Sequence, residues 1–249
     1  MKLLPRLIPA MALAGALLAG HAYASVTIGG TRVIYPMAER EVTVKVENDS
    51  RAPSLVQVWV DDGKTDADPG ESKVPFVVTP PIFRMEPQKS QTLRVMFTGD
   101  AALPKDRESV FWLNVLDIPP KSAKAANANT LQFAFRTRIK IFVRPAKLDG
   151  KPEDAPAQLS WQLVPAADGK GQALRVTNPT PYHVSFSEFG VDDGSRSFKN
   201  DLGGMVAPEG TTVLNVPHMA GAHAGAKVHF TAISDYAAAL PGEAALTGR

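Results

Sequence analysis

The stretch LQFAFRTRIKIFVRP, residues Leu131 to Pro145, predicts a β-strand that is much longer than usual. Every second residue from Leu131 to Val143 is apolar except Thr137. A strand of this length would extend over roughly 45 to 50 Å at about 3.3 Å per residue, whereas a usual strand has about 5 to 6 residues. The opposite face carries three cations at every second position, which are Arg136, Arg138 and Lys140.

Two ordinary explanations each account for part of this pattern. Alternating apolar residues usually mark the face of a sandwich strand that packs on its own core. Lysine and arginine on an edge strand discourage pairing with other chains. Neither explanation accounts for the length of the run, nor for cations that are not interspersed with acidic residues.

The first 24 residues are predicted to be a cleaved export signal. Lys2 and Arg6 give a basic start, an apolar stretch follows, and Ala22-Tyr23-Ala24 has small residues at the positions that signal peptidase recognises. A retained membrane anchor is the alternative. Pro5 and Pro9 interrupt the apolar stretch, and the remainder is shorter than the roughly 20 apolar residues that span a bilayer. Export with cleavage after Ala24 is therefore the preferred interpretation.

Charge and cysteine content narrow the function classes. The chain has 27 Lys and Arg against 25 Asp and Glu, and two of the cations belong to the predicted signal, so the exported part is balanced. A balanced chain without a long basic run argues against nucleic-acid binding. The absence of cysteine excludes disulfides and thiol catalysis, so an exported protein of this kind has to be stabilised by its apolar core.

The exported chain is predicted to be all-β with two domains, residues 25–147 and 148–249. Strand alternation occurs in EVTVKVEN, LVQVWVDD and QTLRVMFTG, and ESVFWLNVLDIPP is apolar on both faces until Pro119-Pro120. AKLDGKPEDAPAQ, after Pro145, has no strand period and is predicted to be a linker. Strand patterns then resume in LSWQLV, ALRVTNP, YHVSFSEFG, TTVLNVP and AKVHFTAIS. The final YAAALPGEAALTGR is either a weak strand or a frayed tail. Short strands without a helical period are typical of β-sandwiches.

Two other kinds of site are weaker interpretations. His218, His223 and His229, with Met219 beside the first, could recruit copper or zinc, but their spacing matches no ligand motif, so polar loop and strand positions are favoured. No G-x-S-x-G, H-E-x-x-H or phosphate-binding glycine loop occurs. A carbohydrate-binding or hydrolytic sandwich would need paired acids in a cleft. The acidic pairs Asp61-Asp62 and Asp192-Asp193 precede glycines, and turn chemistry explains them.

Nearly the whole exported chain resembles the periplasmic pilus (fimbrial) chaperones of the chaperone-usher pathway. The resemblance is carried, in order, by GTRVIYP from Gly30, VTPPIFRMEPQKSQTLRV from Val78, LPKDRESVFWLNVLDIPP from Leu103, NTLQFAFRTRIKIFVRP from Asn129, VTNPTPYHVSF from Val176 and ISDY from Ile233. It implies two immunoglobulin-like sandwiches in an L or boomerang arrangement. It also implies a protein that is not an enzyme, needs neither cofactor nor ATP, binds unassembled pilus subunits in the periplasm and delivers them to an outer-membrane usher. The ten residues KSAKAANANT, 121–130, resemble the short-loop branch of the family.

The resemblance also implies particular site residues. In the family, an arginine on the first strand and a lysine near the end of the last strand of the first domain bind the C-terminal carboxylate of a subunit. Arg32 and Lys140 match them. The family's donor strand, which completes the subunit fold by β-augmentation, matches Leu131, Phe133 and Phe135. An exposed strand of this kind also offers a surface through which the free protein could self-associate.

A third set of residues implied by the resemblance is structural. In the family, a glutamate, an arginine and an aspartate form an ionic network that fixes the angle between the domains. Glu108, Arg144 and Asp235 match these positions. Neither the pattern nor the resemblance assigns a role to Arg136 and Arg138.

Overall fold

The computed structural model of the protein describes residues 26–64, 69–70, 72–99, 102–121, 131–167, 169, 171–221 and 225–247. The predicted export signal, all but the first residue of the predicted loop 121–130, and His223 lie outside these residues. In the described part of the chain, no helix is long and apolar enough to cross a membrane.

The first domain is a sandwich of two sheets with strand orders β1-β3-β7-β5 and β2-β9-β8-β4-β6. Strands β2 and β9 are parallel, and the other pairs are antiparallel. The strands are β1 (Val26–Ile28), β2 (Arg32–Pro36), β3 (Glu41–Asn48), β4 (Ser54–Asp61), β5 (Phe76–Thr79), β6 (Ile82–Met85), β7 (Ser90–Phe97), β8 (Ser109–Ile118) and β9 (Phe135–Arg144).

The core of the first domain lies between these sheets, and the alternating residues of the sequence form it. Buried side chains from the two inner faces include Val46 and Leu93 on one sheet and Val56, Leu113 and Ile141 on the other, each with 0% exposure. Burying a side chain of this size contributes about 1.5–3 kcal/mol. Tyr35 is fully buried among them, and its hydroxyl accepts a hydrogen bond from Phe97 N at 3.0 Å.

The second domain is also a sandwich, with strand orders β10-β11-β15 and β13-β12-β16-β17, and β14 pairs with β12. A 3-10 helix, Pro152–Gln158, precedes its first strand. The strands are β10 (Ser160–Pro165), β11 (Gln172–Asn178), β12 (Val184–Asp192), β13 (Ser197–Asn200), β14 (Gly204–Val206), β15 (Gly210–Asn215), β16 (Lys227–Ile233) and β17 (Ala239–Ala245).

An aromatic group fills the core of the second domain. Trp161 has 0% exposure and stacks on Phe230 with ring centroids 5.4 Å apart. Phe186 contacts both rings edge-on or tilted. Phe230 lies opposite Gly242 of β17, where an added Cβ would lie 2.5 Å from the phenyl ring. The glycine therefore makes room for the ring between the last two strands.

The all-β, two-domain prediction is confirmed. Some of its local details differ in the structure. The segment predicted as a linker contains the 3-10 helix, whose Ala155 is buried in the second core. The C-terminal segment is a strand rather than a frayed tail, because β17 pairs with β16 along its whole length. The short strands β13 and β14 had no counterpart in the sequence prediction. The boundary at 147/148 stays a prediction; it lies between β9 and the 3-10 helix.

The prediction of one long strand over the stretch Leu131 to Pro145 is wrong. Strand β9 begins at Phe135, which pairs with Asp117 of β8. Beyond Ile118, β8 continues into Pro119 and Pro120, which have no amide hydrogen to donate to a strand ladder. Residues 131–134 are therefore outside any strand.

Candidate functional site

Arg32 and Lys140 lie in register, directly opposite each other in the parallel pair of β2 and β9. They line a cavity of ≈430 Å³ between the domains. Trp112 and Arg138 of the first domain and Ser187, Ile233 and Ala239 of the second also line it. The two cations predicted to act together are thus brought together in a cleft between the sandwiches.

Both cations contact the second domain. Arg32 Nη1 donates to the carbonyl oxygen of Ile233 at 2.8 Å, and its guanidinium carbon lies 5.7 Å from the centre of the Phe142 ring. Lys140 Nζ donates to Ser185 Oγ at 3.2 Å. Among the described residues, neither cation forms an ion pair with a carboxylate, and Arg32 Nε is buried without a hydrogen-bond partner.

The surroundings make both charges less favourable than in water. Burial lowers the pKa of Lys140, and the neighbouring charge of Arg32 lowers it further. Burial also lowers the pKa of Arg32, whereas the charges of Asp235 and Glu108 act in the opposite direction. A carboxylate placed between the cations would form charge-assisted hydrogen bonds with them and relieve this mutual repulsion.

The alternating apolar face of the opening stretch divides into two parts. Ile139, Ile141 and Val143 are buried in the core of the first domain, with exposures of 6%, 0% and 0%. Leu131, Phe133 and Phe135 are exposed at 81%, 60% and 63%. One periodic pattern therefore supplies two kinds of residue. Its C-terminal half is buried in the core, and its N-terminal half forms an uncovered apolar surface.

The exposed residues lie beside an open strand edge. Strand β8 pairs with β9 from Phe135 to Val143, whereas β2 pairs only with Lys140 to Arg144. In the described part of the chain, residues 135–139 therefore have a neighbour on one side only. Their other edge presents amide and carbonyl groups to a further strand.

Glu108, Arg144 and Asp235 meet at the domain junction. Arg144 Nη1 and Nη2 donate to the two oxygens of Asp235 at 2.6 and 2.9 Å, and Arg144 Nε donates to Glu108 Oε1 at 2.7 Å. Burial alone lowers the pKa of Arg144, but the hydrogen bonds and charges of Asp235 and Glu108 raise it overall. These groups form a bidentate, partly buried network that joins β9 to the second domain.

The network includes a residue that the sequence did not indicate. His183 N donates to Glu108 Oε2 at 2.8 Å, and His183 Nδ1 lies 3.2 Å from the same oxygen. The imidazole also packs against Phe142, with ring centroids 5.4 Å apart. Glu108, whose side chain is 1% exposed, is thus held by groups of both domains.

Arg136 and Arg138, which the sequence left without a role, both bind Asp61. Arg136 Nη2 lies 3.0 Å from Asp61 Oδ2, and Arg138 Nη2 lies 2.8 Å from Asp61 Oδ1. Edge protection by solvated cations is therefore wrong for these residues. The turn interpretation explains only part of the role of Asp61. Its Oδ1 accepts the Gly63 N–H at 2.8 Å, as a turn requires. The carboxylate is also 1% exposed and binds two guanidinium groups.

The acidic pair Asp192-Asp193 behaves as turn chemistry predicts. Gly194 N donates to Asp192 Oδ1, and Arg196 N donates to Asp193 Oδ1, both at 2.8 Å.

Among the described residues, no group of three or more His, Cys, Asp or Glu side chains is placed to hold a metal ion. Met219 is buried in the second core, and His229 lies within β16 opposite Gly190. His218 occupies a turn with φ of 62°. The structure thus places Met219 in the core, His229 in a strand and His218 in a turn.

Comparison with known proteins places the chain in one family along nearly its whole length. Residues 25–149 match the family model "Pili and flagellar-assembly chaperone, PapD N-terminal domain", and residues 154–244 match "Pili assembly chaperone PapD, C-terminal domain". The probable fimbrial chaperone YadV of Escherichia coli (strain K12) is 47% identical over 225 residues, which cover 90% of each chain.

Solved structures agree with the sequence comparison. The crystal structure of the YadV chaperone superposes with a TM-score of 0.76 at 43% identity and covers 89% of this chain and 99% of that one. A chain of the Salmonella enterica complex between the SafA pilin and the SafB chaperone gives a TM-score of 0.72 at 30% identity, covering 91% of this chain and 99% of that one. This chain therefore belongs to the PapD family of pilus-assembly chaperones.

Proposed function

We propose that this protein is a periplasmic chaperone that binds unassembled pilus subunits, keeps them from aggregating and delivers them to the outer-membrane usher. The observation that carries the proposal is the exposed apolar segment Leu131, Phe133 and Phe135, which continues into an open strand edge and ends at a pair of cations. Large exposed apolar surfaces mark interaction sites. SafB, a related chaperone, forms a complex with a pilin, which supports a pilus subunit as the partner.

The first step is capture of the subunit's C-terminal carboxylate by Arg32 and Lys140. A carboxylate that leaves water needs compensation by opposite charge and hydrogen bonds. Arg32 and Lys140 supply both from adjacent strands, and the cleft holds them in place through Ile233 and Ser185 of the second domain. The carboxylate thus takes a fixed position relative to β9.

The second step is completion of the subunit's fold by residues 131–139. Main-chain hydrogen bonds to the open edge give affinity that tolerates sequence variation among subunits. Each of the three apolar side chains contributes about 1.5–3 kcal/mol when it becomes fully buried in the subunit's groove.

The anchored carboxylate also sets the register of the pairing. A slip of one residue would turn Leu131, Phe133 and Phe135 away from the groove, because side chains alternate across a strand. Lys140 has the opposite parity and lies about 17 Å along the strand from Phe135 at about 3.3 Å per residue. One end of the subunit's chain is therefore fixed while the apolar contacts form.

Release follows when the N-terminal extension of another subunit replaces the chaperone strand. This exchange requires only a competitor that fits the groove better. The chaperone itself carries out no chemical step and uses no nucleotide, metal or cofactor.

Three further parts of the proposal rest on the sequence. Residues 1–24 are a signal peptide cleaved after Ala24, which places the protein in the periplasm. The domains comprise residues 25–147 and 148–249. Residues 121–130 form the short loop of the chaperone branch that the chain resembles.

The proposal is tested by periplasmic co-expression with a pilin-like subunit. The wild type is expected to give a soluble 1:1 complex with a subunit. Combined replacement of Leu131, Phe133 and Phe135 by alanine is expected to abolish the complex and leave the subunit to be degraded. Leu202→Ala, a control at an apolar residue of the second domain that is 94% exposed, should retain it. Equal recovery with all variants would contradict the proposal.

A further inference from the structure

We propose that Asp61 is a positioning residue that holds the open-edged part of β9 in the extended geometry to which a subunit strand pairs. This inference rests on the proposed function, because it concerns the segment that the subunit would receive. It assigns a purpose to Arg136 and Arg138, to which neither the sequence pattern nor the family resemblance gives a role.

Asp61 lies at the end of β4, two strands away from β9 in the order β4-β8-β9. Arg136 and Arg138 reach across β8 to bind it, one guanidinium on each carboxylate oxygen, at 3.0 and 2.8 Å. The Asp61 side chain is 1% exposed, whereas those of Arg136 and Arg138 are 27% and 21% exposed. The buried Asp61 thus connects Arg136 and Arg138, two alternate residues of the open-edged segment, to the middle of the sheet.

The position of the carboxylate is fixed by further contacts. Asn114, which has 0% exposure, donates through Nδ2 to Asp61 Oδ2 at 2.8 Å. Its Oδ1 accepts from Arg136 Nε at 2.9 Å. Gly63 N donates to Asp61 Oδ1 at 2.8 Å. Each carboxylate oxygen therefore accepts one hydrogen bond from Asn114 or Gly63 in addition to the one from an arginine, and the bonds from Asn114 and Gly63 orient the acid independently of the arginines.

Two tryptophans support the guanidinium groups. The Arg136 guanidinium carbon lies 4.8 Å from the ring centre of Trp59, and that of Arg138 lies 5.8 Å from Trp112. Cation–π contacts at such distances favour one placement of a long side chain that would otherwise sample many rotamers. The arginines, Asp61, Asn114 and the tryptophans form the Asp61 cluster.

The location of the Asp61 cluster ties it to the donor segment. Arg136 and Arg138 lie between Phe135, an exposed apolar residue, and Lys140, one of the two cations in the cleft. This is the part of β9 that β2 does not reach. A strand with one open edge opens locally more easily than a central strand. The Asp61 cluster supplies side-chain attachments where a neighbouring strand is missing.

Stability alone does not explain an ionic cluster at this place. A well-packed apolar group of similar volume is often as stabilising as a buried ion pair. What charged, directional contacts add is a fixed geometry. A segment that is already extended loses less conformational entropy when a partner strand pairs with it, so binding becomes tighter and faster.

Hydrogen exchange of the free, mature protein tests the proposal without any subunit. Asp61→Asn should speed exchange of those amides of residues 136–139 that donate to β8 by about tenfold or more, because hydrogen bonds to a charged group are lost. Residues 141–143 of the same strand, which pair on both sides, should keep their wild-type rates. Asp62→Asn is the matched control, since Asp62 is an exposed neighbour whose partner is Lys64.

A second variant changes the two arginines of the Asp61 cluster instead of the acid. Combined Arg136→Gln and Arg138→Gln replacement leaves Asp61 with Asn114 and Gly63 and should produce the same local increase in exchange. In co-expression with the pilin-like subunit, both sets of substitutions should lower recovery of the soluble complex by about tenfold, whereas Asp62→Asn should not.

The possible results separate the alternatives. Unchanged exchange at 136–139 in both variants would overturn the proposal. Faster exchange throughout β4, β8 and β9 would also overturn it, because Asp61 would then stabilise the sheet in general. Local opening with undiminished recovery of the complex would overturn the role in subunit binding. Failure of the wild type to recover any subunit would contradict the proposed function instead, and hydrogen exchange would still decide whether Asp61 orders the segment.

Discussion

Arg32 and Lys140 lie opposite each other in a parallel strand pair, so the free protein keeps two cations side by side in a partly buried cleft. In the described part of the chain, no carboxylate forms an ion pair with either. Burial lowers the pKa of Lys140, and Arg32 lowers it further. We expect this arrangement to reduce the stability of the free protein, because two buried like charges disfavour each other. Sites of this kind commonly exchange stability for function.

Replacing Lys140 by methionine should therefore stabilise the free protein at pH 7. In the wild type, the folded-state pKa of Lys140 is depressed below the ordinary lysine value of 10.5. The unfolded chain then binds more protons than the folded one between these two pKa values, so wild-type stability rises with pH through that window. The advantage of Lys140→Met, measured by thermal unfolding, should narrow as the pH rises toward 10.5.

Lys227→Met provides the comparison for this experiment, because Lys227 is a largely exposed lysine of the second domain. It should show no comparable gain in stability at pH 7. A wild type that is more stable than Lys140→Met at pH 7 would contradict the account of the cleft.

The ionic network at the domain junction should contribute strongly to stability. Arg144→Ala removes the bidentate contact with Asp235 and leaves Glu108, which is 1% exposed, without its cationic partner. Breaking a buried pair from one side costs about 3–5 kcal/mol. Urea unfolding should show a loss of this size. Lys227→Ala, which breaks the exposed pair with Glu243, should cost about 0–1 kcal/mol. Similar losses for the two variants would mean that the network does not stabilise the domain junction.

Truncation of two residues of the same alternating face should change the free energy of unfolding by very different amounts. Ile141→Ala should cost about 2–5 kcal/mol, because Ile141 has 0% exposure in the first core. Phe133→Ala should change the free energy of unfolding by less than about 0.5 kcal/mol, since Phe133 is 60% exposed in the free protein. A large loss of stability with Phe133→Ala would show that this side chain is covered within the free chaperone.

The contact between Phe230 and Gly242 gives a test of the second domain. Gly242→Ala would place a Cβ 2.5 Å from the phenyl ring, which stacks on Trp161, so the aromatic group would have to shift. Overpacking of this kind costs about 1–3 kcal/mol. Gly221→Ala, where an added Cβ meets nothing within 4 Å, should change the free energy of unfolding much less. Calorimetry of both variants measures the difference, and equal thermal transitions would show that the ring adapts freely.

Sequence alternation predicted the inner faces of the first sandwich well, because burial on one side of a sheet imposes a period of two. Val56 and Val58 on β4, and Leu93 and Val95 on β7, are buried as that period requires. It could not predict where β9 begins. That limit depends on which residue of β8 faces Phe135, and hence on where Pro119 falls opposite β9. Such a register belongs to the tertiary structure rather than to either strand alone.

Asp61 shows a different limit of sequence reasoning. Its position before Gly63 predicted a turn, and that hydrogen bond is present. Nothing in the local sequence indicated Arg136 and Arg138, which become neighbours only because β8 lies between β4 and β9. The pairing of Arg32 with Lys140 was inferred from family resemblance, since a parallel contact between the two ends of a domain has no local pattern of its own.

The central claim is that Arg32 and Lys140 together bind the C-terminal carboxylate of a subunit. Its most direct test is periplasmic co-expression of a pilin-like subunit with wild type, Arg32→Ala, Lys140→Ala and the control Arg94→Ala, an exposed cation paired with Glu41 on the other sheet. Soluble 1:1 complex should be recovered with the wild type and the control, and the subunit should be degraded with either cleft variant. Undiminished recovery of the complex with both Arg32→Ala and Lys140→Ala would contradict the claim.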